Sequence, residues 1–209
     1  MVILLGGDEQ TRIRAPDRQE EGIIAMQIVD KSHQLGVAIL RIVVGIVFLS
    51  AGIEKLFLSA EKFTAAGFLK FATGGSPILA APVEGTIYNP TQAIWTGLAD
   101  NAAALSLIDL MVPYGQLAIG IGLILGLFTR FSAAMGTLMM LLFFFAAWDF
   151  QYGVVNQHLT YAVVTAFLGL IGAGNYYGLD ATVRPRVSDG VRRWLFSGSG
   201  DDGWKVATA

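Results

Sequence analysis

Residues 35–58, LGVAILRIVVGIVFLSAGIEKLFL, form an apolar run that carries Arg41, Glu54 and Lys55. The hydrocarbon core of a bilayer is about 30 Å thick, so a spanning helix needs roughly 20 mainly apolar residues. This run is long enough. A charge at membrane depth costs about 2.5–3.5 kcal/mol even on permissive insertion scales, so each of the three needs a partner or an interface within reach. Few soluble folds would tolerate such a segment, and few membrane folds would leave its charges unexplained.

Composition points the same way. The 209-residue chain is 54% hydrophobic and 14% charged, whereas a soluble domain is about 25% charged. It reads as an integral membrane protein of the all-α class. A net charge of −2 gives no basic excess for a nucleic-acid partner. With no cysteine, disulfides, thiol catalysis, iron–sulfur ligation and covalent haem attachment are excluded. The 25 glycines suit close helix packing in lipid. Residues 2–5 are too short for the apolar core of a signal peptide, and acidic residues follow directly. Met26, whose MQIVDKSHQ leads into the first span, is an alternative start.

Four apolar segments stand out: residues 35–58, 110–128, 131–148 and 158–173. Helices and closed barrels alone satisfy the backbone in lipid, and these runs lack the alternation of barrel strands. The expectation is a four-transmembrane-helix bundle over residues 35–177, with tails at 1–34 and 178–209. One side then holds Arg12, Arg14, Arg18, Lys31, Arg130, Arg184, Arg186, Arg192, Arg193 and Lys205, and the other Lys55, Lys62 and Lys70. Cationic loops favour the cytoplasm, so both termini are expected there, with the chain in a prokaryotic inner membrane.

The long outer loop, residues 59–109, should contain short amphipathic helices. Ala60, Phe63, Gly67, Phe68 and Phe71 fall at helical spacing, with Lys62 and Lys70 off that face. Asn89 and Pro90 read as the N-cap and first residue of a second helix, whose apolar face is Ile94, Trp95, Leu98, Ala102 and Leu105.

Depth sorts the polar residues into two groups. Glu54 lies about 20 Å beyond Arg41 at 1.5 Å per residue, so the two cannot pair. The outer group is Glu54, Lys55, Asp109, Tyr114, Gln116, Trp148, Asp149, Asn156, Gln157 and His158. Carboxylates, amides and a histidine near the interface could bind a polar headgroup and move protons, as quinone reduction requires. Glu54 and His158 are the candidates for proton transfer, and Lys55, Asp109, Tyr114, Gln116, Asp149 and Asn156 for binding. The plainer alternatives are interface anchors for Glu54 and Lys55, a structural hydrogen-bonder for His158 and interhelical glue for Gln116. The cytoplasmic group is Arg41, Arg130, Asn175, Tyr176, Tyr177 and Asp180. There Asp180 can pair with Arg41 or Arg130, as a structural clamp or as part of an anion site. The two histidines, His33 and His158, lie at opposite ends and cannot form a bis-histidine haem pair. No spaced metal-ligand set is present, and no intrinsic cofactor is expected.

The order LRIVVGIVFLSAGIEKL, YGQLAIGIGLILGLFTR and VNQHLTYAVVTAFLGLIGAGNYYGLD resembles the DoxX/DoxD family of small four-helix membrane proteins, from about residue 35 to 180. Arg41, Gly52-x-Glu54-Lys55, Leu127-Phe128-Thr129-Arg130 and Gly174-x-Tyr176 before Leu179-Asp180 carry the likeness. Gln116 departs from it, since many relatives have a glutamate there, and a proton-transfer role at that position is put in doubt. The resemblance implies a redox setting: one member is the small subunit of a thiosulfate:quinone oxidoreductase.

Three functions are then in competition. The chain is an accessory subunit of a larger respiratory or photosynthetic electron-transfer assembly, with lipid and other membrane subunits as partners. Its polar tails motivate this, being segments that stay mobile unless partners hold them. Alternatively it is the quinone-reducing membrane subunit of an oxidoreductase, with quinone as its ligand. Third, it is a transporter or membrane-protein maturation factor, although no internal repeat supports alternating access.

Overall fold

The computed structural model describes residues 18–71, 89–147 and 155–188, together with Leu195, and gives side chains from Asp30 onward except at Phe71. Every regular element is helical, and no strand occurs among the described residues. Three helices are long and apolar enough to cross a membrane: Asp30–Leu58, Ala102–Leu125 and Thr129–Ala146.

The first helix, α1, runs Arg18–Ile53. It starts well before residue 35, so the stretch expected as tail from 18 to 34 continues the span as helix. A π-helical turn, Glu54–Leu58, ends it, with Ser59 N–H donating to Glu54 O at 2.9 Å before the chain turns extended. The widened turn rotates Lys55 so that its Nζ donates back to Ala51 O at 3.2 Å.

Two short helices follow, α2 at Ala66–Phe71 and α3 at Gln92–Asp100. The first is shorter than the expected periodicity because the chain from Ser59 to Thr64 stays irregular. The second begins later than expected. Asn89 does not cap it: its Oδ1 accepts from Thr91 N at 2.8 Å, forming an Asx turn, and Thr91 takes the cap position. The Asn89 amide instead donates to the Phe145 and Ala146 carbonyls at 2.9 and 3.0 Å.

The helix α4, Ala102–Leu125, starts eight residues before the expected second span. Asn101 is the reason. It breaks the helix before it and accepts from Ala103 N and Ala104 N, both at 3.1 Å, as the N-cap of the next. Ala102 and Leu105, expected on the loop helix, therefore belong to α4. Its end is a Schellman turn: Gly126 is left-handed at φ 63°, and Leu127 N–H donates to Gly122 O at 2.9 Å. After Phe128, also left-handed at φ 50°, α5 runs Thr129–Ala146. The last long element, α6, runs Gln157–Leu170. Its 14 residues cover about 21 Å, less than a bilayer core.

The bundle is built as two close pairs, α1 on α4 and α5 on α6, joined mainly through α4 and α5. Glycines set the first seam. A Cβ on Gly120 would lie 2.6 Å from Leu49 N, and one on Gly45 would lie 2.9 Å from Ile124 N. Such backbone contact is how helices associate where lipid offers no hydrophobic drive. The core between the pairs holds Val44, Phe48, Ile119, Leu123, Ala133, Met140, Ala162 and Leu168. A separate small cluster of Ala65, Leu69 and Ala99, with Phe68 and Trp95 against it, sits under α2 and α3.

Beyond α6, a 3-10 turn at Ala173–Asn175 leads to α7, Asp180–Val183, and a second 3-10 turn at Arg184–Arg186. This stretch, expected as tail from residue 178, is tied to the bundle. Leu179 N donates to Leu125 O at 3.1 Å and Asp180 N to Gly126 O at 2.8 Å, using carbonyls that the end of α4 leaves open.

Candidate functional site

The two groups of polar residues lie at opposite ends of the bundle, and the structure treats them differently. At the Arg41 end two charged side chains are packed away. Arg41 is 0% exposed and Asp180 1%. The Asp180 Oδ2 accepts from Thr129 N at 3.1 Å, so the last described segment caps the N-terminus of α5. Arg41 Nη2 donates to Tyr177 O at 3.4 Å, and Tyr177 adopts a left-handed backbone at φ 52° to present that carbonyl. Arg41 Nε and Nη1 and Asp180 Oδ1 have no hydrogen-bond partner among the described residues. The field of Arg41 acts on Asp180 without a direct hydrogen-bonded pair between them.

Burial pushes the Asp180 carboxyl above the usual carboxylate range, against hydrogen bonds from Thr129 and the Phe128 backbone and the nearby Arg41 guanidinium, which all pull it down. Glycines make the room. A Cβ on Gly126 would collide with Arg41 Nη1, one on Gly174 with Asp180 Oδ2, and one on Gly178 with Arg41 Nη1 again. Arg130, expected as an alternative partner, is exposed on the first turn of α5, beside the buried Thr129. Thr129 and the three glycines are the residues that sequence reasoning missed. Thr129 and Gly174 lie in the motifs that carry the family likeness, but nothing in a one-dimensional pattern shows that they touch Asp180.

At the other end the residues are spread out. Glu54 is exposed at the start of the π turn, next to Lys55, whose Nζ lies 5.7 Å from the Phe63 ring centroid. Tyr114 is 56% exposed on the outer face of α4 and does not join a polar cluster. Asp109 Oδ1 accepts from Ala65 N at 2.6 Å, so its carboxylate holds the start of α2. Asn156 caps α6, accepting from Leu159 N at 3.1 Å. His158 is half-buried between two aromatic rings, edge-on to Phe143 at 5.7 Å and to Phe68 at 6.3 Å. Gln116 is 4% exposed in the bundle interior, and its Oε1 has no hydrogen-bond partner among the described residues. Asp149 and Trp148 lie outside the described residues.

Chemically, the Arg41 end is a closed device of charge and backbone. The other end offers an exposed carboxylate, a half-buried ammonium, a histidine in an aromatic setting and a buried amide. Together with three helices able to cross a bilayer, this defines a helical membrane protein with charges sequestered at one bundle end. The DoxX family model matches residues 36–149, more than half of the chain, and the protein belongs to the DoxX family. The matched range covers Arg41, Glu54, Gln116 and Thr129; α6 and Asp180 lie beyond it. No curated protein and no solved structure matches the chain.

Proposed function

We propose that this DoxX-family protein is an accessory membrane subunit of a larger electron-transfer assembly. The observation that carries the reading is the burial of Arg41 and Asp180 at one bundle end, where their polar atoms turn to backbone and to each other's field. Charges used to close a fold are not available for chemistry. The exposed apolar rows of the long helices, such as Leu107, Leu110, Met111 and Ile121 on α4, suit lipid or neighbouring membrane subunits. In this proposal α6 is the fourth, short span, both termini face the cytoplasm, and the setting is a prokaryotic inner membrane. Purification in mild detergent tests it. Companion redox subunits should co-purify at fixed ratio; a stable single chain that turns over quinone alone would overturn it.

A second reading, a quinone-reducing subunit, is favoured by one observation. His158 sits against Phe68 and Phe143, a setting in which a flat apolar ring would find both stacking surfaces and a proton donor. His158→Ala should then abolish quinone-dependent turnover of the assembled complex, and an unchanged rate would end that reading.

A further inference from the structure

The short helix α2 has six residues, too few to be stable alone, and three ties hold it and the residues leading into it. Ala65 N–H, just ahead of it, donates to the Asp109 carboxylate of α4 at 2.6 Å. Lys70 in its last turn pairs with Asp100 at the end of α3 at 2.7 Å. The Lys55 ammonium stands over the Phe63 ring. Ala65 and Leu69 bury into the small cluster shared with Ala99, apart from the main core. Phe68 packs against the edge of that cluster, and its ring also meets Phe143 at 5.5 Å and His158 at 6.3 Å. The helix thus covers His158 while drawing its own packing from α3 and α4.

We propose that α2 is a lid over His158 and that Asp109 is the positioning residue that holds it shut. This extends the second, quinone-linked reading by naming the gate of that site. The bond from Ala65 N–H to Asp109 is charge-assisted, the stronger kind of hydrogen bond. The Lys70–Asp100 pair is solvent-exposed and contributes less. Because the residues that α2 buries belong to the small cluster, the lid lifts without opening the main core. Segments with few buried contacts open locally in this way. Lifting α2 removes the Phe68 ring from His158 and leaves Phe143 in place.

The chain has no cysteine, so one introduced thiol reports on one position. The probe is the initial rate at which a water-soluble maleimide modifies the full chain in detergent, with no quinone present. Reporters are His158→Cys and, in case that variant fails to fold, Leu69→Cys on the inner face of α2. Adding Asp109→Ala should raise both rates roughly tenfold or more, as expected for losing a hydrogen bond to a charged group. Asp109→Asn, whose amide oxygen still accepts, should restore most of the protection. A control thiol at the fully buried Ala133 should stay unreactive throughout. Equal rates with and without Asp109, or a parallel rise at residue 133, would overturn the lid. The assay contains no quinone, so its failure and a failed quinone assay are separate results.

Discussion

Arg41 and Asp180 show how much of a site a single residue's cost can reveal. A charge inside an apolar span demands a reason, and in the sequence that demand pointed to Asp180, with Arg41 and Arg130 as its two candidate partners. Their burial together predicts asymmetric mutational effects. Asp180→Leu alone leaves Arg41 uncompensated and should cost about 3–5 kcal/mol, while Arg41→Leu with Asp180→Leu should recover much of the loss; unfolding of the two variants beside the unaltered protein in detergent measures this. The carboxyl also titrates higher in the folded protein than in the unfolded chain. Its contribution to stability is therefore full below the ordinary carboxylate pKa of about 4 and is lost as pH rises through the raised folded value. Asp180→Asn should remove that slope, which thermal unfolding across acid to neutral pH would show. The glycines around the pair were not legible. Their role is to be absent from space that Arg41 and Asp180 fill, and absence leaves no periodic mark. Tyr114 failed for a related reason: its rank in the sequence gives depth, but rotation about the helix axis decides whether it faces the bundle.

Among the elements, the long helices were legible because hydropathy sets them, and their boundaries were not, because single side chains set those. Asn101 ends α3 and caps α4, and its neighbours read equally well as one continuous helix. Asn89 was read as a helix start, yet it serves the end of another helix far along the chain. Its amide covers two carbonyls at the C-terminus of α5, and Thr91 Oγ1 adds a bond to Phe145 O at 3.1 Å. Asn89→Ala should take the amide from the Ala146 carbonyl and leave Phe145 O to Thr91 Oγ1 alone, at a cost of about 1–3 kcal/mol. The loss should appear as faster amide exchange at the end of α5 and in α3, with the α1–α4 seam unchanged. An even loss of protection across all helices would count against Asn89 as the tie between loop and bundle.

For the molecule as a whole, four-span topology makes a demand that the cysteine-free chain can answer. Lys31→Cys and Arg186→Cys should be modified by an impermeant reagent from one face of the membrane, and Lys62→Cys from the other. If residues 31 and 186 label from opposite faces, α6 does not span. The family was legible because Arg41, Gly52-x-Glu54-Lys55 and the Leu127–Arg130 turn all fall inside the matched range, while Gly174-x-Tyr176 and Leu179-Asp180 lie beyond it. The function was less so, because the residues that touch across the bundle come from distant parts of the chain. That distance bears on biogenesis. A ribosome releases the chain from the N-terminus, so Arg41 enters the bilayer long before Asp180 has been synthesised. Until then the arginine must stay hydrated at the headgroups or hold the helix ends apart. Completion of the last helical turns, rather than insertion of the spans, is the event that closes the protein, and a chain halted before residue 180 would carry an open charge by which a membrane protease could distinguish it from a finished one.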